Sequence, residues 1–189
     1  MNNWHDLTYL HAGTPRQRAA WEAIHRLGIM ERLQAYQPVL AGTIPLDIDV
    51  ADSDLDVICC ASDLDEFDRF VRDAFGRQDG FSQQRCDVNG VPSSVTSFWH
   101  GGFAFELFAQ PVPADRQNAY RHMVMEARLL ALSGEQAREG IRELKRNGMK
   151  TEPAFARYFG IPGDDPYQAL LEWERYSDAE LAELIQKRT

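Results

Sequence analysis

The sequence predicts a mixed α/β protein: a small mixed sheet flanked by helices, followed by a C-terminal α-helical lobe. Three observations carry this. Short apolar runs at 38–41 and 55–60 read as buried strands, and three further strand candidates lie between Gly76 and Phe108. Runs with apolar residues at helical spacing precede and interrupt them. After Pro111-Val112-Pro113 no strand pattern returns, and helical segments follow one another.

Thr14-Pro15 opens the first long helix, a capping hydroxyl followed by a proline whose missing N–H costs nothing there. Ala20, Ile24 and Leu27 form its apolar face, Gly28 interrupts it, and a short second helix covers 29–36. The strand 38–41 ends at Gly42. The loop 44–53 holds Pro45 and three aspartates, and the strand 55–60 follows. Ser62 is the expected cap of the next helix, with Asp65 at the capping-box position. Leu64, Phe67, Phe70, Val71, Ala74 and Phe75 recur at helical spacing until Gly76. Asn89-Gly90 suits a tight hairpin turn, and His100-Gly101-Gly102 makes a second. In the strand 103–108, Phe103, Phe105 and Leu107 share one face, and Ala104, Glu106 and Phe108 the other. Helices are expected over 115–132, 134–147, 152–159, 166–176 and 178–188, with Thr151 and Ser177 as N-caps and Gly148 and Gly160 as C-caps. The expected domains are 1–112 and 113–189.

The chain of 189 residues is long enough for one domain or two small ones, and 44% hydrophobic with 26% charged residues fits a soluble globular protein. A net charge of −9 disfavours binding to long nucleic acids, which need a basic surface. No apolar run reaches the length of a membrane span, and no signal peptide is recognised at the start. Three cysteines, two of them adjacent at Cys59 and Cys60, make neither a disulfide framework nor a zinc spacing. The expected location is the cytoplasm.

The chemistry concentrates at Ser53-Asp54-Leu55-Asp56-Val57-Ile58. In extended chain Asp54 and Asp56 project the same way, about 6.6 Å apart. Carboxylates entering an apolar strand are costly unless paired or metal-bound, and a divalent ion with oxygen preference is the usual partner. Asp47, Asp49 and Asp52 read instead as a solvated acidic loop. A calcium hand starting at Asp52 fails, since its sixth position is Val57 and its twelfth Asp63. A dehalogenase-type pair should follow its strand, whereas here the apolar run comes after it. A glycosyltransferase Asp-x-Asp remains open on spacing alone, although such enzymes usually need a longer nucleotide-sugar domain.

The combination of Leu40-Ala41-Gly42-Thr43, the spacer 44–53 and Asp54-Leu55-Asp56-Val57 resembles the nucleotidyltransferase superfamily, the fold of DNA polymerase beta. Thr43 departs from the usual serine but keeps the hydroxyl. A third carboxylate is expected on a later strand, and Glu106 in Phe105-Glu106-Leu107-Phe108 is suitably placed. Asp87-Val88-Asn89-Gly90-Val91-Pro92, the run 117–123 and Lys150-Thr151-Glu152-Pro153-Ala154-Phe155 also resemble an uncharacterised bacterial family assigned to this superfamily.

The resemblance implies a metal-dependent transferase that moves a nucleoside monophosphate from a nucleoside triphosphate (NTP) to a hydroxyl of a small molecule or protein. Asp54, Asp56 and Glu106 would be catalytic and would hold Mg2+ or Mn2+. Gly42 and Thr43 would bind the triphosphate, Gly42 by close backbone approach and Thr43 through its hydroxyl. Arg121 and Lys150 are further phosphate-binding candidates. For Arg121 the alternative is a surface ion pair, and for His122 a packed, hydrogen-bonded position. Trp99 and Trp173 are expected in the core or a domain seam. The competing expectation is a non-catalytic nucleotide-binding or antitoxin-like module with a protein partner. Polynucleotide extension is disfavoured by the acidic charge, and no membrane partner is expected.

Overall fold

The computed structural model describes residues 3–187. The chain forms two compact units. One contains the residues up to Pro45 together with Ser53–Tyr120; the other contains Leu46–Asp52 and the residues from Arg121 onward.

The first unit opens with α1 (Thr8–His11), α2 (Pro15–Leu27) and α3 (Ile29–Arg32). Thr14 and Gln17 form a reciprocal capping box at α2, with Pro15 in its first turn. The expected helix over 29–36 is α3 followed by a separate 3-10 turn, Gln34–Tyr36. The strands are β1 (Val39–Ala41), β2 (Leu55–Cys60), β3 (Asp79–Val88), β4 (Val91–His100) and β5 (Phe103–Gln110), with α4 (Leu64–Phe75) between β2 and β3. Their order in the sheet is β1-β2-β5-β4-β3; β2 and β5 run parallel and the other pairs antiparallel. Both hairpin turns adopt positive φ at their central residues, Asn89-Gly90 and Gly101-Gly102.

The α4 cap differs from expectation by one residue. Asp63, not Ser62, is the N-cap, and its carboxylate accepts the Glu66 N–H at 2.9 Å. A carboxylate at this position also complements the positive end of the helix.

Alternation divides the sheet into two chemical faces. Leu55, Val57 and Cys59 of β2, Phe103, Phe105 and Leu107 of β5, and Phe98 of β4 bury themselves with Ala20 and Ile24 of α2 and Phe67, Val71 and Phe75 of α4. Phe75, Phe98 and Phe105 stack in series, with centroids 5.5 and 5.3 Å apart. Burying such rings contributes roughly 1.5–3 kcal/mol each. The opposite face therefore receives Asp56, Glu106 and Ser97. Trp99 also lies there, paired with Ala104, and is 58% exposed, so it is not a core residue; its indole lies over Gly80. Trp173 is buried as expected.

The second unit is helical. The element α5 (Asn118–Arg146) is broken at Gly134, whose backbone is non-helical. This matches the expected division of 115–147 into two helices, with 114–116 forming a 3-10 turn instead of helix. The helices α6 (Thr151–Phe159), α7 (Pro166–Glu172) and α8 (Asp178–Gln186) follow. Lys150, not Thr151, occupies the N-cap of α6, and its donor-only ammonium cannot cap the helix; the Thr151 hydroxyl accepts from Lys145 Nζ at 3.0 Å. The expected 166–176 helix becomes 3-10 from Trp173. Residue 188 of the expected last helix lies outside the described residues. Among the described residues no helix is long and apolar enough to cross a membrane.

The 46–52 segment is not a wholly solvated loop. Leu46 and Ile48 are buried, and Asp47 pairs with Arg142 of α5 at 3.0 Å. Two apolar side chains in this short segment favour burial over solvation, and Arg142 satisfies the carboxylate between them.

Glu126 of α5 is only 3% exposed, and its Oε1 has no hydrogen-bond partner among the described residues. Burial pushes its carboxyl well above the ordinary range; nearby Glu152 adds to this and Lys145 opposes it. The native fold therefore holds this proton to higher pH than the unfolded chain does. The associated stability is full below the ordinary value of 4.5 and is lost as pH rises through the folded value. Glu126→Gln is expected to melt above the native protein at pH 8, with the gap closing toward pH 4.5. Thermal melts across that range check this, and a gap independent of pH would refute it.

Candidate active site

Strand register assembles the site. Ala41 of β1 pairs with Asp56 of β2, Asp56 with Glu106 of β5, and Glu106 with Ser97 of β4. Directly paired residues point to one face, so the two carboxylates stand side by side on strands about 4.8 Å apart. Both are half-buried. The parallel β2–β5 pairing brings together two residues fifty positions apart in sequence.

Gly42 follows Ala41 with φ +81. A Cβ placed there would collide with the Asp56 carboxylate and lie 3.2 Å from its Cγ. Glycine is thus required twice, by its left-handed backbone and by the carboxylate lying against it. Thr43 is almost buried, and its hydroxyl donates to Ser53 Oγ at 3.2 Å, closing the two ends of the 44–53 excursion onto each other. Arg16 of α2 donates to the Ser53 carbonyl at 3.3 Å while its guanidinium lies over the Phe103 ring at 4.0 Å. A cation is thereby fixed next to the residue preceding Asp54.

Asp54 sits one residue before β2, half-buried. Among the described residues, no three His, Cys, Asp or Glu side chains gather into a metal-holding group. The expected triad is therefore a facing pair, Asp56 and Glu106, with Asp54 at the entrance to the strand. Asp54 precedes the ladder, so no strand pairing fixes it in the Asp56–Glu106 row. The pair still suits magnesium, which takes hard oxygen donors and is commonly bound by one or two carboxylates plus substrate phosphates.

A pocket of about 470 Å3 opens beside the pair on the same sheet face. Asp56 and Glu106 stand at one end, and Ile58, Phe108 and Val91 form apolar walls. Gln110, Arg116, Gln117 and Asn118 contribute polar groups. The amide of Gln117 donates to the carbonyls of Cys59 at 2.8 Å and Val112 at 2.9 Å, tying the segment after β5 to β2.

The remaining candidates belong to the second unit. Arg121 forms a two-point ion pair with Glu174, at 2.6 and 3.1 Å, so the surface-pair alternative is realised. Lys150 is exposed at the start of α6. His122 is buried, with Nε2 at 3.0 Å from the Tyr167 carbonyl and Nδ1 at 3.4 Å from Glu152.

The sequence assigns no role to Arg16, Ser53 or Gln117, although Ser53 and Gln117 lie within runs that it singles out. Within the run 117–123 it singles out the charged residues, whereas the residue holding the sheet is the neutral Gln117. Arg16 carries no signal beyond its place in the first turn of α2.

A family model for a domain of unknown function, DUF4269, matches residues 22–173. The chain belongs to the DUF4269 family. No curated protein sequence matches it. Among solved structures, the DUF4269 chain is similar to the Cid1 poly(U) polymerase with MgGTP bound, at 9% identity and a TM-score of 0.55 over 82% of this chain and 54% of that one. It is similar to the structure of the GLD-2/RNP-8 complex, at 12% identity and TM-score 0.52, covering 96% and 81%. It also resembles the polymerase core of TRAMP, an RNA surveillance complex, at 10% identity and TM-score 0.50, covering 96% and 59%. The chain spans about half the length of the Cid1 chain. These likenesses show the fold: a five-stranded mixed sheet with flanking helices, of the nucleotidyltransferase type.

Proposed function

We propose that this protein transfers a nucleoside monophosphate from an NTP to a hydroxyl of a small molecule or protein. The observation that carries the reading is the register-paired Asp56 and Glu106 beside Gly42, on the open face of a nucleotidyltransferase-type sheet. The half-buried Gly42 turn is where the phosphates would approach, with backbone N–H groups as donors. Glu106 accepts the proton of the incoming hydroxyl as its oxygen attacks the α-phosphorus. The bond to the bridging oxygen then breaks and pyrophosphate leaves. Mg2+ or Mn2+ bound by Asp56 and Glu106, with Asp54 as a further ligand, would neutralise charge on the phosphates. The apolar core face holds the two strands rigidly, which fixes the carboxylate spacing.

Some structural neighbours are described as acting on RNA. The net charge of −9 supports a small acceptor instead. Arg121, engaged by Glu174, and Lys150 lie outside the first unit, which carries the proposed chemistry.

A non-catalytic nucleotide-binding or antitoxin-like module is the second reading. It is favoured by the ungathered third carboxylate and by the commitment of the Thr43 hydroxyl to Ser53. Calorimetric titration with ATP, GTP, CTP and UTP, each with Mg2+ or Mn2+, tests the shared premise. The expected result is metal-dependent binding of at least one NTP, lost in the Asp54→Ala, Asp56→Ala double variant. Binding to neither form, or equally to both, would refute it. Binding without any pyrophosphate release across an acceptor panel would favour the second reading, and a mobility shift of RNA at low salt would refute the small acceptor.

A further inference from the structure

We propose that the exposed Trp99 indole is a stacking platform for the acceptor, and that the acceptor is an uncharged alcohol with a flat aromatic ring a few bonds from its hydroxyl. This rests on the nucleotidyltransferase reading above. Across the open sheet face, one row runs Ala41, Asp56, Glu106, Ser97, through β1, β2, β5 and β4. The turn assigned to the triphosphate follows Ala41, at one side of the two carboxylates. Glu106, assigned the proton of the incoming hydroxyl, stands on the side away from that turn. What lies beyond Glu106 on β4 therefore faces the acceptor. Trp99 is there, on the same face as Ser97. Its pair, Ala104, stands two residues before Glu106, which puts the Cα atoms of Trp99 and Glu106 about 8 Å apart. In the transfer itself, the acceptor oxygen bonds to the α-phosphorus, its proton passes to Glu106, and pyrophosphate leaves on the side of the turn.

The surroundings of the indole specify what it receives. Trp99 is 58% exposed, and among the described residues no aromatic ring or cation packs on it. The pyrrole edge of the indole lies over Gly80, where a Cβ would stand 3.2 Å from Cδ1 and 4.0 Å from Nε1. With φ +67 and no side chain, Gly80 lets the indole settle against the edge of the sheet. Covering a glycine occupies one side of the ring and leaves the rest of it accessible. The strand residues between the indole and Glu106 are short, Ala104 and Ser97, and Ser82 pairs with Ser97 beyond them. A ligand can thus reach from the indole to the carboxylate without meeting a large side chain of β4 or β5. A flat ring stacked on the indole gains more than its buried area alone supplies, which a saturated ring of like size does not. Glu106 on one side and Asp79, the β3 partner of Trp99, on the other repel an anionic acceptor.

Two probes separate stacking from general apolar attraction: 3-phenylpropan-1-ol and its saturated counterpart 3-cyclohexylpropan-1-ol. Each is titrated into isotope-labelled native protein and followed by NMR, with the Trp99 indole N–H signal identified by its loss in Trp99→Leu. The phenyl alcohol is expected to shift that signal upfield and to bind roughly fivefold tighter than the cyclohexyl alcohol. The anionic 3-phenylpropanoate is expected to bind more weakly than the phenyl alcohol. Trp99→Leu is expected to equalise the two alcohols, and Trp99→Phe, which keeps a ring over Gly80, to retain most of the preference. Equal binding of the two alcohols by the native protein, an unshifted Trp99 signal, tighter binding of the carboxylate, or a preference that survives Trp99→Leu would overturn the proposal. The native shift decides the matter even where a variant melts early. Saturating Mg–NTP is expected to leave the phenyl alcohol bound; its displacement would overturn the acceptor assignment by placing the nucleotide base on Trp99. NTP binding without any preference for the phenyl alcohol defeats this inference alone. Absence of NTP binding defeats the proposed function and the acceptor assignment with it.

Discussion

Asp56→Asn is expected to lower nucleotidyl transfer by about 10²- to 10³-fold while the protein stays folded. Asparagine keeps the shape and one oxygen but loses the charge that a divalent ion needs. The fold should tolerate the change, because Asp56 faces Glu106 directly across β2 and β5, and neutralising one of two adjacent carboxylates removes their repulsion. Transfer is read as pyrophosphate release with the NTP found by titration, and folding by thermal melting. Full activity in Asp56→Asn would remove Asp56 from the chemistry. A collapse of melting with activity would make its role structural. Glu106→Gln is expected to cost about 10²- to 10⁴-fold, as for loss of a general base, and to leave NTP affinity less affected than turnover.

Gly42→Ala is expected to damage both stability and activity although it adds a single methyl group. The backbone at φ +81 strains any residue with a Cβ, at about 1–3 kcal/mol. The new methyl also has no room, because the Asp56 carboxylate occupies its position. Either the β1 end or the Asp56 side chain must shift. A displacement near 1 Å at a reacting group can cost about 100-fold in rate. Lowered melting together with a loss of transfer of that order is the expected result, read by the same two assays. A variant with native melting would contradict the close approach of Gly42 to Asp56.

The legibility of the fold followed the periodicities. The strand alternation of Phe103, Phe105 and Leu107 against Glu106 was plain, because burial on one face demands it. Hairpin turns were legible at Asn89-Gly90 and Gly101-Gly102, where positive φ selects residue type. Caps were less so. Ser62 and Asp63 are both good N-caps, and only the start of α4 decides between them. The 44–53 segment misled because its aspartates outweigh Ile44, Leu46 and Ile48 in any reading of composition, yet these three are buried. Trp99 misled in the opposite sense. Its size predicts burial, but its register beside Ala104 puts it on the open sheet face. At the site, Asp56 and Glu106 were legible as a spacing, whereas their direct pairing depends on the parallel register of β2 and β5. Gln117 and Arg16 were invisible, since each acts through backbone carbonyls that only the folded chain brings near.

In the proposed function the triphosphate lies against the Gly42–Thr43 turn with a divalent ion at Asp56 and Glu106. A crystal soaked with a non-hydrolysable NTP analogue and Mn2+ tests it most directly. An anomalous manganese peak contacting both carboxylates is expected, with the triphosphate beside Gly42 and the pocket leading to Gln117 left open next to the α-phosphate. A nucleotide seated in that pocket, or manganese bound away from Asp56 and Glu106, would contradict it.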